Sequence, residues 1–344
     1  MPKQIKVGVI THADGAHLGS YLTALAESET VGSVALSDPD DGTVAEARKV
    51  LGRKLTGTYS SPAAMLAQEK PAMALVTMEA RLAPPAINAA LDAGCHVLAE
   101  KPSCVHVDDF DKLAQKADAA GLHLMLALAN RLNPEVQEAR RLIQEGKLGK
   151  IYGLELHLVA DQTRLTRPSY HERWFASKER AGGGHLIWLG IHWLDLAMYI
   201  SGSRIVEVAG FTGNVGGQPL DVEDSAVVAL RFDNGSFGTA TSGYYLDQGY
   251  HSHIKIWGAQ GWLQIDKHGG LPLQWYSRTE VNPGIHRVES LDGPSGYTPF
   301  VEACVRASAG LAPPPLTTND SLYALKTVFA SYAAAETAHT QAIS

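Results

Sequence analysis

Short apolar runs alternate with amphipathic stretches through the first third of the chain. "IKVGVI" (5–10) predicts a buried strand, "LGSYLTALAES" a helix, "VGSVALSDPD" a strand ending in a turn, and "TVAEARKVLG" a helix. The alternation continues with the strand "AMALVTM", the helix "APPAINAALDAG", the strand "HVLAE", the helix "VDDFDKLAQKADAAG" and the strand "HLMLALA". Alternating units of this size predict an α/β fold, with a parallel sheet covered by helices on both faces. That is the doubly wound, Rossmann architecture that binds nucleotides.

Beyond about residue 125 the texture changes. "PEVQEARRLIQEG" is a helix with Pro134 in its first turn. Long alternating runs follow: "KIYGLELHLVA", "RIVEVAGFTG", "DSAVVALRFDNGSFGTATSGYY" and "SHIKIWGAQGWLQID". Asn234-Gly235 and "GAQG" (258–261) predict hairpins between such runs. "APPPL" (312–316) is an extended spacer before a final helix, "NDSLYALKTVFASYAAAETA". This half reads as a largely antiparallel sheet carrying a few helices, which places one domain over 1–125 and a second over 126–344.

The length of 344 residues suits two domains, and 45% hydrophobic with 19% charged residues is ordinary for a globular enzyme-sized chain. The net charge is −7 and no run of Lys or Arg occurs, so no nucleic-acid partner is expected. The longest apolar stretch, Leu186 to Ile200, is interrupted by Gly190, His192 and Asp195, so no membrane span is expected. "MPKQIKVGVI" does not read as a secretory signal. Cys95, Cys104 and Cys304 lack paired spacing and fit free thiols in a reducing cytoplasm, packed in a core. A cytoplasmic location is therefore expected.

A pyrophosphate-binding βα turn usually reads G-x-G-x-x-G. Here it reads "VITHADGAHLG", with Thr11 at the first glycine position, His12 between, and Ala13 at the second. The helix start near Ala16–His17 can still present N–H groups to a phosphate. Asp38, ending the second strand about twenty residues on, is where a carboxylate binds ribose hydroxyls. No Lys or Arg follows until Arg48, which favours NAD over NADP. A second reading of "DPDD" is simply a turn.

"AGCHVLAEKP" (93–102), a helix ending in Ala-Gly and a strand ending in Glu-Lys-Pro, resembles the Gfo/Idh/MocA family of oxidoreductases. "AGGGHLIWLGIHWLDLAMYISG" (181–202) is similar to that family's Gly-Gly-Gly turn and Asp-x-Gly-x-His-x-x-Asp helix. "ANRLNP" (129–134) and "VEDSAVVALRFDNGSFG" (222–238) resemble family segments in the expected order. The resemblance covers essentially the whole chain. It implies an N-terminal Rossmann domain and a C-terminal α/β domain whose large, mostly antiparallel open sheet mediates self-association, as a homodimer or homotetramer. It implies a nicotinamide cofactor and carbohydrate or polyol substrates. The family's catalytic lysine falls on Lys101 and its histidine on His192; the Lys101–Pro102 bond can be cis. Two features depart from the family pattern: the altered glycine turn, and Trp188 where many members carry an aspartate.

On a regular helix over 184–200, His185, Trp188, His192 and Asp195 fall within an arc of about 80°. His185 and His192 lie about 10 Å apart along such a helix, not at the i, i+4 spacing of a metal pair, and no metal is expected. Asp195, at i+3 from His192, can fix its tautomer and leave the other ring nitrogen for substrate. Oxidising an alcohol needs a base for the hydroxyl proton, and imidazole titrates in the right range. Lys101 ends a parallel strand, where doubly wound sheets bind ligands, and can stabilise an alkoxide or relay the proton. Trp188 offers a stacking face or is core; His185 binds substrate or is a satisfied histidine beside the glycines. Thr77, Glu79 and Glu100 stand at strand ends on the cofactor side, and Asn130 and Arg131 end the last Rossmann strand. Arg173 and Trp174 precede the glycine turn and are candidate lids over the substrate. The Tyr- and His-rich "GYYLDQGYHSH" (243–253) contributes sugar-binding groups, across a subunit interface or within one chain, or is a solvated hairpin, the reading favoured here; Glu223-Asp224 reads as structural.

The expected activity is NAD-dependent oxidation of a secondary hydroxyl on a sugar, sugar derivative or cyclic polyol. Two rivals keep the fold. One retains the nicotinamide and uses transient oxidation for elimination or glycoside cleavage; the other is a non-catalytic dinucleotide-binding regulator.

Overall fold

The computed structural model describes residues 3–246, 248–266 and 268–344. It forms two compact units. The first comprises Met1–Leu132, Glu179–Gly182 and Pro294–Tyr323; the second comprises Asn133–Lys178, Gly183–Gly293 and Ala324–Ser344.

In the first unit six strands form one sheet: β1 (Ile5–Thr11), β2 (Val31–Ser37), β3 (Leu55–Tyr59), β4 (Met73–Thr77), β5 (His96–Ala99) and β6 (Leu124–Leu126). Their order is β3-β2-β1-β4-β5-β6, with every pairing parallel. Val9 pairs with Leu36 on one side and Leu75 on the other, all three fully buried. Helices α1 (Leu18–Glu27), α2 (Val44–Leu51), α3 (Pro62–Glu69), α4 (Ala83–Asp92) and α5 (Val107–Ala119) make the crossovers. Right-handed crossovers put α1 and α2 on one face and α3, α4 and α5 on the other. Strand order reverses between β1 and β4, and the C-terminal ends of these strands border the crevice where such sheets bind ligands.

The pattern of apolar runs gave five of these strands and missed β3 and α3. The reason is physical: β3 is an edge strand, half-exposed along its length, and carries no buried apolar run.

Helix α6 (Pro134–Gln144) opens the second unit. Its nine-stranded sheet is built from β7 (Ile151–Asp161), β8 (Ile205–Gly213), β9 (Ser225–Phe232), β10 (Phe237–Leu246), β11 (Tyr250–Gly258), β12 (Gly261–Ile265), β13 (Leu273–Ser277), β14 (His286–Val288) and β15 (Gln341–Ala342). The order is β14-β13-β12-β11-β7-β10-β9-β8-β15, antiparallel except for β7 against β10. The two expected hairpins form: Phe232 N donates to Ser236 O across Asn234-Gly235, and β11 turns into β12 through Ala259 and Gln260. Gly235 sits at φ 83, a conformation glycine adopts without strain.

Between β7 and β8 run the single-turn helices α7 (Pro168–His171) and α8 (Lys178–Ala181), then α9 (Ile191–Ser201). After β14 come α10 (Tyr297–Ser308), which returns to pack on α1, and α11 (Thr318–Thr337). No helix among the described residues is long and apolar enough to cross a membrane.

Candidate functional site

The β1–α1 turn is built without the usual glycine pair. Thr11 Oγ1 donates to Thr77 O at 3.1 Å, and Thr77 Oγ1 donates to Ala16 O at 2.6 Å, tying the turn to the end of β4. Gly15 is the residue this packing requires: a Cβ there would lie 2.4 Å from Thr11 Oγ1 and 2.7 Å from Thr77 O. The His12 ring stands 3.1 Å from Asp14 N and 3.0 Å from Glu79 N, and burial lowers its pKa, which keeps it an acceptor. His17 takes a left-handed conformation, φ 58, and starts α1 without a side-chain cap or an acidic residue in the first turn. The N–H groups and positive dipole end of α1 are thus not capped by the His17 side chain, and such a helix start suits a phosphate.

Asp38 is fully buried. Its Oδ2 accepts from Thr43 N and Thr43 Oγ1, both at 2.7 Å, and its Oδ1 accepts from Asp40 N at 3.2 Å. It thus organises its own turn, and the backbone of Gly42 lies against exposed Ala13. A carboxylate has about four acceptor positions, and Oδ1 uses one of them weakly. These features fit a dinucleotide: an uncapped helix start for pyrophosphate and a carboxylate at the end of β2 for ribose. Glu79 is engaged elsewhere, its Oε2 accepting from Arg180 Nε at 2.9 Å. Half-exposed Asn130 and buried Arg131 follow β6, and Arg131 Nη1 pairs with Asp320 Oδ2 at 3.1 Å.

At the end of β5, Lys101 is 1% exposed. Its Nζ lies 3.7 Å from Glu100 Oε1, which also faces His17 Nδ1 at 3.3 Å. Tyr21 donates its hydroxyl to Glu100 Oε2, and Tyr297 packs edge-on to Tyr21 and tilted over His17, each with ring centroids at 5.0 Å. Burial brings the Lys101 amine down to about 8, partly offset by the attraction of Glu100. The Lys101–Pro102 bond is cis. Sequence reasoning identified Glu100 and Lys101 but missed Tyr21 and Tyr297; Tyr297 arrives with α10 from far along the chain.

In the second unit the glycine turn owes its composition to the backbone of Glu223 and the side chain of Tyr332. A Cβ at Gly184 would lie 1.9 Å from Glu223 O, and one at Gly183 would lie 2.2 Å from Tyr332 Oη. Glu223 Oε1 accepts from Leu186 N at 2.9 Å and Tyr332 Oη at 2.8 Å, and Oε2 accepts from Gly184 N at 2.5 Å. His185 N donates to Glu223 O at 3.0 Å. Burial raises the Glu223 pKa, opposed by these donors. The carboxylate caps the next helical segment, so that helix start is already occupied. Gly184→Ala is expected to cost about 3 kcal/mol, because backbone rather than a flexible side chain must give way. A denaturant midpoint unchanged from wild type would contradict this packing.

The expected single α-helix is corrected: Leu186–Gly190 winds as a π-helical turn before α9 begins. The wider turn breaks the regular 100° phase, so the four residues do not form one stripe. Fully buried His185 points at the sheet, its Nδ1 2.6 Å from Ser242 Oγ and its ring edge-on to Tyr244 at 4.4 Å. Burial brings its pKa down to about 3, helped by Arg164, so it is neutral. Half-buried Trp188 packs against Trp174 at 5.3 Å and Phe175 at 5.4 Å. Trp174 is fully buried behind it, and exposed Arg173 lies over Phe175 at 5.4 Å. His192 is half-buried on α9 and Asp195, three residues on, is buried.

The segment taken as a solvated hairpin is also corrected. Tyr244 is 5% exposed and belongs to an apolar cluster with Ala160 and Leu165, against which Tyr170 and Tyr250 pack. Asp247 of that segment lies outside the described residues. Arg164, missed in the sequence, sits over the Tyr244 ring at 5.3 Å.

Residues 5–128 match the family described as "Oxidoreductase family, NAD-binding Rossmann fold", and residues 136–264 match the "GFO/IDH/MocA C-terminal domain". The chain belongs to the Gfo/Idh/MocA family of oxidoreductases. It is 31% identical over 193 residues to a D-glucoside 3-dehydrogenase of Escherichia coli, spanning 52% of this chain and 53% of that protein. It is 25% identical over 237 residues to a myo-inositol 2-dehydrogenase of Thermotoga maritima, 67% of each. The chain thus spans about half the length of the first of these relatives and two thirds of the second. The crystal structure of an oxidoreductase domain protein from Kribbella flavida has the same fold, with a TM-score of 0.89 at 24% identity over 99% of this chain and 100% of that one.

Proposed function

We propose that this chain is an NAD-dependent dehydrogenase that oxidises a secondary hydroxyl of a sugar, sugar derivative or cyclic polyol. The observation that carries the reading is Lys101: a buried amine at the C-terminal end of a parallel strand, with a pKa brought down to about 8 and a carboxylate beside it. A purely structural lysine has little reason to stand there, since burial of its charge is costly.

NAD, when bound, supplies the hydride acceptor. The α1 start with Thr11, His12, Ala13 and His17 receives its pyrophosphate, and Asp38 receives the adenosine ribose. Asp38 disfavours a 2′-phosphate, which selects NAD over NADP. Thr77, Glu79, Glu100 and Asn130 complete the cofactor side. His192, oriented by Asp195, takes the hydroxyl proton. Lys101, as ammonium, donates to the same oxygen and stabilises the alkoxide as it forms. Arg131, Arg173, Trp174, His185 and Trp188 shape the substrate side, Trp188 by an apolar face backed by Trp174.

The domain over 1–125 binds the dinucleotide, and the one over 126–344 binds substrate and a second copy of the chain. Support for the last point comes from the open sheet, where Phe211 and Phe237 are 81% and 57% exposed and Val227, paired with Phe211, is exposed beside them. The assembly is a homodimer or homotetramer in the cytoplasm, and light scattering reads its mass.

The test is absorbance at 340 nm with NAD, then NADP, across sugars, polyols, sugar acids and glycosides, with products identified by mass spectrometry. NADH formed with one substrate class is expected. Product without NADH would replace the reading by the nicotinamide-retaining one, and NAD binding without any product would replace it by the regulator.

A further inference from the structure

Arg164 lies on the turn Gln162–Thr166 that leaves β7. It is half-buried, and its Nη2 donates to Tyr250 Oη at 2.9 Å. Its guanidinium stands 5.3 Å from the Tyr244 ring and 5.9 Å from the Tyr250 ring. Among the described residues it makes no ion pair, and one of its five N–H donors is used. The nearest carboxylate in sequence, Asp161, spends its Oδ1 on Thr163 N at 2.8 Å and Thr163 Oγ1 at 2.7 Å, and feels Arg164 without forming an ion pair with it.

The side chains packed around it among the described residues are mainly phenols and an imidazole, with the Asp161 carboxylate within electrostatic reach. Tyr170 and Tyr250 pack on the Tyr244 cluster, and Tyr244 stands edge-on to His185. His185 Nε2 is buried with no hydrogen-bond partner among the described residues. Cation–π contact offsets part of the cost of desolvating a guanidinium, but among the described residues it leaves all but one N–H of the planar fork without an acceptor.

We propose that Arg164 recognises a carboxylate on the substrate, so that the substrate is a cyclic hydroxylated acid rather than a neutral sugar. This rests on the dehydrogenase reading above. A guanidinium that donates to one phenol and lies over two phenol rings matches a planar monoanion held by two parallel bonds. A phosphate dianion asks for more positive charge than one arginine provides, and among the described residues no second cation is found in contact with this one.

The experiment uses the NAD-loaded full chain, with methyl β-D-glucoside and methyl β-D-glucuronide as a matched pair and inorganic phosphate as a control anion. Turnover is followed at 340 nm and binding by calorimetry, for wild type, Arg164→Met and Arg164→Lys. Wild type is expected to favour the uronide by about tenfold or more in kcat/KM or Kd. Arg164→Met should collapse that ratio, and Arg164→Lys should restore part of it, as a charge without the fork. Melting curves confirm that the variants fold; if Arg164→Met does not, Arg164→Lys carries the test, and an undiminished uronide preference in it overturns the proposal. NADH from the glucoside with no uronide preference also overturns it and leaves the dehydrogenase reading standing. Arg164-dependent uronide binding without turnover of any substrate supports the carboxylate site and removes the dehydrogenase reading. Binding of phosphate in place of the uronide, or no Arg164-dependent binding of either, overturns the carboxylate assignment.

Discussion

Lys101→Met is expected to lower kcat by about a thousandfold while leaving the protein folded and NAD affinity within a few-fold of wild type. The substitution keeps the unbranched stem that fills a site 1% exposed, and removes only the nitrogen. Catalysis loses the donor to the developing alkoxide, a contact that strengthens as charge appears on the oxygen. Stability is argued with the opposite sign. Burial brings this amine from 10.5 down to about 8, so the unfolded chain binds the proton more tightly. Between about pH 8 and 10.5 the unfolded state carries more protons, and the Lys101 contribution to stability rises with pH across that window. Below pH 8 the lysine is charged in both states and its desolvation is a cost, which methionine removes. Against this, Glu100 loses one neighbour, but Tyr21 still donates to it and His17 remains 3.3 Å away. The melting temperature at neutral pH is therefore expected to hold or rise. Wild-type kcat/KM should fall above pH about 8 as the ammonium is lost, and the residual activity of the variant should lack that limb. A variant within tenfold of wild type would remove Lys101 from the mechanism.

The sequence revealed the parts of the fold where burial is nearly complete. β1, β4 and β5 are nearly continuous apolar runs because both faces of a parallel sheet are covered, and their ends marked Thr77, Glu100 and Lys101 as candidate ligand-facing positions. β3 was hidden because an edge strand needs no such run. The site was harder to read where it depends on contacts distant in sequence. Glu223 read as structural, and it is, yet it holds the glycine turn through bonds to Gly184, Leu186 and Tyr332 that no local pattern announces. The π turn was invisible because apolar residues surround it on every side, leaving no periodicity to shift. Tyr244 was placed in solvent because its neighbours Tyr245 and Tyr250 look like a polar hairpin; strand alternation instead turns it inward against His185. His192 and Asp195 of the family motif can be read from the sequence, but the unusual residue four positions before His192, Trp188, acquires meaning only with Trp174 and Phe175 packed behind it.

His192→Ala is the sharper discriminator among the three readings of this family member. It is expected to lower kcat by about a thousandfold, with NAD binding retained and the melting temperature changed by no more than a few degrees, since the side chain is only half-buried. Asp195→Asn should give a smaller loss, because it alters the orientation of the base and not its presence. The double variant Lys101→Met/His192→Ala decides whether the two residues serve one proton transfer. Residues acting as a unit are non-additive, so the double variant should be no slower than the worse single variant by more than about tenfold. Losses that multiply would mean two independent tasks, and would separate Lys101 from the alkoxide. Under a nicotinamide-retaining reaction the same variants would lose product formation although wild type never accumulates NADH, whereas under the regulator reading neither substitution would change NAD-linked signalling. Comparing the single and double variants by product mass and by absorbance at 340 nm therefore assigns both the chemistry and the residues that perform it.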